Sequence, residues 1–507
     1  MSIKTNIVRA AAGAAIGRIN KIEENALQNQ SLWFKKIVKG ASGTKFGKDH
    51  HFERITNYNE FKSNVPVRDY EGLRAYFDDI ASGTPNVCWP GKPKYLAKTS
   101  GTTSGTKYIP ITRQSLPNHI NSARNALFSY IDLNKESKIF DGRMLFLSGS
   151  PLLENKNGLL VGRLSGIVNH EVPSWMSKTI LPSMATNLLE PWERKVDAIV
   201  NELMNNDVRV ISGIPPWIQM IFERMLALTN KKNVAELLPN LELYIHGGVN
   251  YQPYHARINQ LIGRPINLVE TYPASEGFFA YQDRFDTEGL RIVSNSGIFY
   301  EFIPLDQIHR PDADRLSLHD VALEKDYAIV INSNAGLLGY LIGDVVRFIN
   351  KSPYRLKVTG RVSQFISAFG EHVIASEIES SMTAAVLKHH LSIVEFMVAP
   401  QVNPSDGSLP YHEWFVEFNE IPDNIDVVAN TINSHLCNLN TYYNDLIKNK
   451  ILQRLKIRTI RKNGFKDYMT RINKIGEQFK VTRVCNDRSV ADQLQNSVIN
   501  LSDGNFR

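Results

Sequence analysis

Three observations predict an α/β protein built in two parts. Between Met144 and Gly277, short apolar runs that end in small polar residues alternate with helical stretches. That alternation is the pattern of a parallel sheet covered on both faces by helices. From Ser296 to Ile349 the apolar runs follow one another across turns, which reads as antiparallel pairing. After Arg361 the texture changes again, and Ser- and Glu-rich helices alternate with three strands in a smaller α+β unit. The expected fold is therefore a large N-terminal domain of parallel and mixed sheets flanked by helices, residues 1–362, and a smaller C-terminal domain, residues 363–507. The boundary, near Arg361 to Gln364, has no Pro- or Ser-rich linker, so any movement there uses a short hinge.

The first hundred residues read as helices and loops: SLWFKKIVKGAS, a turn at Gly43 to Gly47, then NEFKSNVPVRDYEGLRAYFDDI. YIPIT (Tyr108 to Thr112) is strand-like, and so is LVGRLSGI (Leu160 to Ile167). MLFLSGS (Met144 to Ser150), VRVISGIPPW (Val208 to Trp217), LELYIHGGVN (Leu241 to Asn250) and INLVETYPASEG (Ile266 to Gly277) are the parallel strands with their following loops. In open α/β sheets ligands sit outside the carboxyl ends of strands, so these loops are expected to gather at one edge. SGIFYEFIPL, DYAIVINS and GYLIGDVVRFI form the antiparallel part, with a turn at Asn334 to Gly336. IVEFMVAP, HEWFVEF and LQRLKIRTI are the strands of the C-terminal part.

Composition excludes several classes. With 43% hydrophobic and 21% charged residues, the chain has the make-up of a soluble globular protein. No apolar run approaches the roughly 20 residues of a membrane span. AAAGAAIG (Ala10 to Gly17) is alanine-rich and soon followed by charges, so it reads as a surface helix rather than a signal peptide. Cys88, Cys437 and Cys485 are scattered and odd in number, which suggests a reducing, cytoplasmic setting without a disulfide framework. His50-His51 and His389-His390 are adjacent pairs, not ligand spacings, and no dedicated transition-metal site is expected. The net charge of +7 suits anion binding, and a nucleotide polyphosphate satisfies it as well as nucleic acid does. The basic run from Lys448 to Lys466 has the period of a half-buried strand with a solvated face, and no nucleic-acid module accompanies it.

The chemistry concentrates in four places. TSGTTSGTK (Thr99 to Lys107) joins hydroxyls, two glycines that let backbone N–H groups approach an anion, and a lysine. It is not a Walker A loop, since Gly101 and Gly105 are too close and Tyr108 follows the lysine. By itself it is either a phosphate grip or a polar loop before a strand. TYPASEG (Thr271 to Gly277) closes a strand with an aromatic ring that could stack on a base and a carboxylate, Glu276, that could hold Mg²⁺. HGGVN (His246 to Asn250) offers two glycines where a flat ring could pack against backbone. YLIGDVVRF (Tyr340 to Phe348) places Asp344 after a glycine, where a carboxylate can accept both hydroxyls of a ribose; a β-turn alone gives the same spelling.

Taken in order with TGR (Thr359 to Arg361), this set resembles the acyl-adenylate-forming superfamily. TSGTTSGTKYIPIT, ISGIPPW, TYPASEG, GYLIGDVVRF and GEQFKVTR are similar to the Gretchen Hagen three family of acyl-acid amido synthetases, the auxin-responsive group, and to its bacterial branch more than to the plant enzymes. KFGKDHHF, FKSNVPVRDYEGLRAYFDDI and YLAKTSGTTSG fit the same family, so the resemblance spans roughly residues 30 to 490. It implies the adenylate-forming fold with a mobile C-terminal domain, and ATP and Mg²⁺ as the groups bound. It also implies a two-step ligase reaction. A carboxylate attacks the α-phosphorus of ATP to give acyl-adenylate and pyrophosphate, then an amine, usually an amino acid, displaces AMP.

By position the resemblance implies that Ser100, Gly101, Thr102, Thr103, Ser104, Gly105 and Lys107 cradle the β- and γ-phosphates. Tyr272 would line the adenine with Gly247 and Gly248 behind it. Ser275 would contact the adenylate, Glu276 would carry Mg²⁺, and Asp344 with Arg361 would hold the ribose. Lys480, in GEQFKVTR, would steady the α-phosphate and the substrate carboxylate. The chain departs from the family at Leu341, where arginine is usual, and at Leu338-Gly339, where a tyrosine–arginine pair is usual. Thr482 replaces a proline, and Ser363 an aspartate common in the wider superfamily. The acyl pocket would lie between the helix after Pro117, LVGRLSGI and GIPPW, and Arg163 could there neutralise a second acidic group or form a structural ion pair. The partners implied are a small carboxylic acid and an amine, with no nucleic acid and no membrane, and a monomer is compatible with this. A thiol acceptor (coenzyme A or a carrier protein) and a non-catalytic nucleotide-binding homologue are the alternatives.

Overall fold

The computed structural model of the chain describes residues 3–100, 106–172, 174–189, 192–248, 251–308, 310, 312–362, 365–366, 368, 371, 373–402, 404–448, 450–472, 481–485 and 488–499. It divides into two compact units: Met1–Val249 with Ile262–Val358, and Asn250–Leu261 with Thr359–Arg507.

In the first unit β1 (Tyr95–Ser100) and β2 (Thr106–Ile111) pair antiparallel. β3 (Arg143–Phe146), β4 (Glu154–Lys156), β5 (Leu159–Gly162), β6 (Ile180–Leu181) and β7 (Val208–Ser212) follow. β8 (Leu243–Gly247), β9 (Asn267–Ala274), β10 (Gly277–Tyr281) and β11 (Leu290–Ile292) come next. β12 (Ile298–Pro304), β13 (Leu316–Ser317), β14 (Asp326–Ser333), β15 (Tyr340–Lys351) and β16 (Tyr354–Arg361, which runs on into the second unit from Thr359) complete the run. They make a four-stranded sheet in the order β2-β1-β5-β4 and a twelve-stranded sheet in the order β13-β12-β14-β15-β16-β11-β10-β9-β8-β7-β3-β6. The segment β6-β3-β7-β8-β9 is parallel. From β9 through β10 to β11, and among β12, β14 and β15, the pairing is antiparallel. The expected alternation and the expected antiparallel run thus belong to one mixed sheet, because β9 and β10 are joined by a hairpin that reverses the chain.

Two segments depart from the sequence reading. LVGRLSGI is a strand only to Gly162; Arg163 begins a helix, Leu164–Glu171. Gly166 allows this, because a Cβ there would stand 2.6 Å from the carbonyl of Ser150. The basic strand near the C-terminus is not merely a solvated face. Arg458 is half-buried, and its Nε donates to the fully buried Glu413 at 2.7 Å.

Helix Ala26–Ala41 covers the antiparallel end of the large sheet. Its buried positions Ala26, Gln30, Phe34, Ile37, Val38 and Ala41 recur every three or four residues and form one face. Gln30 is polar on that face because the sheet needs it. Its Nε2 donates to the carbonyls of Ser294 (2.9 Å) and Ile298 (3.0 Å), and its Oε1 accepts from the Tyr300 N–H (2.8 Å). Helix Leu116–Leu133 uses Asn118 the same way on β10, accepting from the Phe278 N–H at 2.6 Å and donating to its carbonyl at 3.0 Å. Both side chains satisfy backbone groups that burial would otherwise leave unpaired.

Glu301, on β12, is fully buried and fully engaged. Arg315 donates to it from Nε (3.0 Å) and Nη2 (2.9 Å), Tyr58 from its hydroxyl (2.8 Å) and Asn332 from Nδ2 (2.7 Å). Arg315 also donates to the carbonyls of Lys62 and Val65, which pins the chain that precedes VRDY.

The second unit carries β17 (Phe365–Ile366) paired with β18 (Val373–Ile374), and a sheet of β19 (Ile393–Gln401), β20 (Tyr411–Phe418) and β21 (Lys456–Ile460). Helices Ala375–His389 and Ile425–Leu439 pack over it around Met382, Ile432 and Trp414. The stretch after Lys480 is bound to β19: Val398 N–H donates to the Arg483 carbonyl and Cys485 N–H to the Val398 carbonyl, both at 2.9 Å. The buried Arg483 guanidinium lies 3.8 Å from the Phe396 ring centroid, pairs with Glu395 at 2.7 Å and lies 3.5 Å from Glu379. The three cysteines are free; Cys88 and Cys485 are buried.

Glu301→Ala is expected to lower the stability of the first unit by about 3–5 kcal/mol, since it strands a buried guanidinium. Urea denaturation followed by intrinsic fluorescence checks this. An unchanged midpoint would mean that Glu301 does not carry the packing of β12 against the preceding helices.

Candidate active site

The site is built on three neighbouring pieces of the first unit: the end of β8, the β9–β10 hairpin and the start of β15. At β8 the two glycines answer two different demands. Gly247 pairs with Thr271 of β9, and a Cβ on it would stand 2.3 Å from the Thr271 carbonyl oxygen. Gly248 has φ +73°, in the left-handed region that favours glycine. Thr271 closes the contact by donating its hydroxyl to the His246 carbonyl at 3.0 Å. His246 is buried, and burial pushes its pKa down to about 4, so the ring is neutral at pH 7.

β9 ends in Tyr272, Pro273 and Ala274, and Ser275 with Glu276 form the two-residue turn to β10. Tyr272 is buried, with its ring edge-on to Phe279 at 5.0 Å. Its hydroxyl donates to Asp344 Oδ2 at 2.7 Å. Asp344 reaches this position through a bulge. Ala328 pairs with Val345 and Val330 with Leu341, so two steps along β14 span four along β15. Gly343, inside the bulge, has φ +90°, which a side chain would strain.

Tyr340 opens β15. It is fully buried, and its hydroxyl donates to Glu276 Oε1 at 3.3 Å. Burial, followed by the Glu276 charge, raises its phenol well above the ordinary range, so it stays a donor. The backbone of Tyr340 is held by a segment from far upstream. Arg68 N–H donates to the Gly339 carbonyl and Leu341 N–H to the Arg68 carbonyl, both at 2.9 Å, a parallel bridge between Arg68 and Tyr340. Tyr70, two residues on, stacks on Phe77 at 4.9 Å and accepts a hydrogen bond from the Tyr108 N–H at 3.0 Å. Lys107 Nζ lies 5.5 Å from the Tyr70 ring centroid.

The structure therefore gathers Tyr272, Ser275 and Glu276 with Gly247 and Gly248 along the neighbouring strands β8, β9 and β10, joins Asp344 of β15 to them through the Tyr272 hydroxyl, and sets Lys107 on β2 against Tyr70. Ser100 and Thr106 end the β1–β2 ladder, opposite each other. Gly101, Thr102, Thr103, Ser104 and Gly105, the Ser100 side chain, Ser363 and Lys480 lie outside the described residues. Arg361 is in the second unit, at the end of β16.

Sequence reasoning missed Tyr340 and the Arg68–Tyr70 segment as parts of the site. Tyr340 stood inside a quoted motif, but an aromatic at the start of a strand carries no mark of the carboxylate it will meet. The Gly339 departure has a physical reason. Its φ is +60°, and a Cβ there would lie 2.7 Å from the Pro66 carbonyl oxygen, so the bridge to Arg68 leaves no room for arginine. Gly339 N–H donates to Asn332 Oδ1 at 2.7 Å, which ties the turn to the Glu301 cluster.

Among the described residues no group of three or more His, Cys, Asp or Glu could hold a metal ion, and no helix is long and apolar enough to cross a membrane.

The chain matches the GH3 family N-terminal domain over residues 15–179, the GH3 family central domain over 291–361 and the GH3 family C-terminal domain over 376–489, together more than half of its length. It is 22% identical to jasmonoyl–L-amino acid synthetase GH3.5 of Oryza sativa subsp. japonica, across 93% of this chain and 94% of that one. It is 23% identical to jasmonoyl–L-amino acid synthetase JAR4 of Nicotiana attenuata, across 66% and 68%. Its fold superposes on the solved structure of the GH3.15 acyl acid amido synthetase with a TM-score of 0.79 at 18% identity, covering 96% of each chain.

Gly339→Ala tests the bridge. The left-handed φ and the approach of Pro66 are expected to cost about 1 kcal/mol or more, seen as a lower thermal midpoint. An unchanged midpoint would show that the turn relaxes freely and does not fix Tyr340.

Proposed function

The chain belongs to the GH3 family, and on that premise we propose that it is an ATP-dependent acyl-acid amido synthetase. It converts a small carboxylic acid to its acyl-adenylate with release of pyrophosphate. It then forms the carbon–nitrogen bond to an amine, an amino acid, as the bond from the acyl carbon to the phosphate oxygen breaks and AMP leaves. The observation that supports this reading is the pair of carboxylates, Asp344 and Glu276, each oriented by a tyrosine hydroxyl beside the glycines of β8.

Adenylation presses a carboxylate against a polyphosphate, so the barrier is repulsion between anions, and fixed donors and positive charge lower it. Lys107 and the loop from Ser100 to Gly105 supply these. Glu276 is a single hard carboxylate, the kind of ligand that suits Mg²⁺, which binds through one or two carboxylates plus substrate phosphates and keeps several waters. The lack of a larger ligand cluster among the described residues fits an ion that arrives with the nucleotide. Asp344, oriented by the Tyr272 hydroxyl, is a carboxylate acceptor of the kind that suits the ribose hydroxyls. The buried Tyr272 and the two glycines bound the space for adenine, and Ser275 in the turn meets the adenylate. Arg361 and Lys480 keep the nucleotide roles that their places in the family motifs imply. Three free cysteines support a cytoplasmic setting.

Lys107→Ala and Asp344→Ala are each expected to slow carboxylate-dependent pyrophosphate release about 10- to 100-fold with unchanged far-ultraviolet circular dichroism. Wild-type rates in both would remove them from the site. Tyr340→Phe is expected to raise the Mg²⁺ concentration needed for half-maximal ATP binding several-fold in calorimetric titrations. Mass spectrometry of the products decides the acceptor: an amide with an amino acid is expected, and a thioester with coenzyme A and no amide would overturn that assignment.

A further inference from the structure

Helix Leu116–Leu133 carries a buried polar side chain that no described residue answers. Both ends of the helix are tied to the large sheet by hydrogen bonds. Near its start, Asn118 holds the N–H and the carbonyl of Phe278, which pairs with Pro273 at the carboxyl end of β9. Near its end, the Tyr130 hydroxyl accepts from Nδ2 of Asn267, the first residue of β9, at 2.8 Å. The helix therefore runs back along β9, from the level of the hairpin to the opposite end of the strand.

His119 follows Asn118 directly, so it stands at the hairpin end. It precedes Tyr130 by eleven residues, which is three helical turns to within about 20°. His119 and Tyr130 thus share the helix face that meets β9, where Ala126 and Tyr130 pack in one cluster with Val269 and Phe278. Alternation along β9 puts Thr271 and Pro273 on the same side of the sheet as Val269, and Thr271 pairs with Gly247. His119 is bracketed in this way against the strand ends that carry Gly247 and the Ser275–Glu276 turn, the edge where an α/β sheet takes its ligands.

The ring is 5% exposed, and its Nδ1 is buried without a hydrogen-bond partner. Burial pushes its pKa down to about 4, so the imidazole is neutral at pH 7. An orphaned polar group of this kind costs about 1–3 kcal/mol, and phenylalanine would fill similar space without that cost. Its chemistry narrows what it awaits. A neutral ring offers no charge to a phosphate or a second carboxylate, and bringing an anion out of water beside it would return little. So weak a base does not take the proton of an ammonium, whose pKa lies at about 8–10. Among the described residues no cluster of ligands surrounds it for a metal. A hydroxyl both donates and accepts, so it meets the imidazole in either tautomer.

We propose that His119 is a specificity-determining residue for the acyl acid, and that the preferred acids carry an uncharged hydroxyl away from the carboxyl that is activated. This rests on the adenylation reading and narrows its substrate class.

The test measures pyrophosphate release with three pairs of acids in which a hydroxyl replaces a methyl group. They are ω-hydroxyhexanoate against heptanoate, and the meta- and para-hydroxyphenylacetates against the corresponding methylphenylacetates. Wild type, His119→Gln and His119→Phe are compared. The wild type is expected to favour the hydroxy acid of at least one pair by about tenfold in kcat/KM, the worth of one hydrogen bond. His119→Phe should abolish that preference, and His119→Gln, which keeps a donor and an acceptor, should retain part of it. Equal kcat/KM within all three pairs in the wild type overturns the proposal and leaves the ring to a buried water. An equal loss with every acid in His119→Phe would mark a structural role and also overturn it. So would a raised KM for ATP in that variant with the pair ratios unchanged, which would assign the ring to the nucleotide. Failure of the adenylation reading looks different: the wild type would then release no pyrophosphate with any of the six acids.

Discussion

One fully buried carboxylate organises the centre of the first unit. Glu301 has no water to solvate it, so every lone pair must find a donor in the protein. Its donors come from three distant parts of the sequence: Tyr58 near the start, Arg315 after β12, and Asn332 on β14. Meeting that demand has consequences beyond the core. Arg315 also grips the carbonyls before VRDY, and Asn332 turns its own oxygen toward the Gly339 N–H. The two segments that bridge at Arg68 and Tyr340 are both fixed by the same network. The site therefore inherits its geometry from a charge that takes no part in the chemistry.

The site itself works by a repeated device. Two tyrosines, Tyr272 and Tyr340, each give a hydroxyl hydrogen bond to one carboxylate, Asp344 and Glu276 respectively. Both rings are buried in the core, so their rotamers are set by packing before any ligand arrives. Tyr340 is held un-ionised by burial and by the negative charge it faces, which keeps it a donor. Such outer partners orient a carboxylate through a neighbour rather than through the group's own contacts. The second unit uses a comparable arrangement around Arg483, whose guanidinium is shared among Glu395, Glu379 and the face of Phe396. That anchor fixes the backbone three residues beyond Lys480 to the edge of β19.

Most of the α/β organisation is legible in the chain because periodicity and turn residues are local properties. The loops at the ends of β3, β7, β8 and β9 are marked by glycine, serine and proline wherever a parallel strand stops. The ordered motifs single out Lys107, Tyr272, Glu276 and Asp344 as a set for a related reason: the order of motifs is readable along the chain even where each spelling alone also fits a plain loop or turn. The basic run near the C-terminus was less informative. The run does form a strand, β21, but burial does not alternate along it, Lys456, Ile457 and Arg458 all being half-buried; the partner of Arg458 is a buried glutamate on a neighbouring strand, and spacing along one strand cannot reveal charge on another.

By itself, then, the sequence determined the two-part α/β architecture, the strand-end loops and the residue types proposed to meet a nucleotide. Those follow from patterns a few residues long. The tertiary structure alone decided that the parallel and antiparallel runs form one sheet, turned by the Ser275–Glu276 hairpin. It also decided that Gly339 is required by Pro66, that Tyr340 and not a surface residue orients Glu276, and that the chain turns from strand to helix at Arg163. Each of these is a contact between residues far apart in the chain. Their physical cause is the need to satisfy buried polar groups and to fit backbone against backbone, and it is written in no single segment.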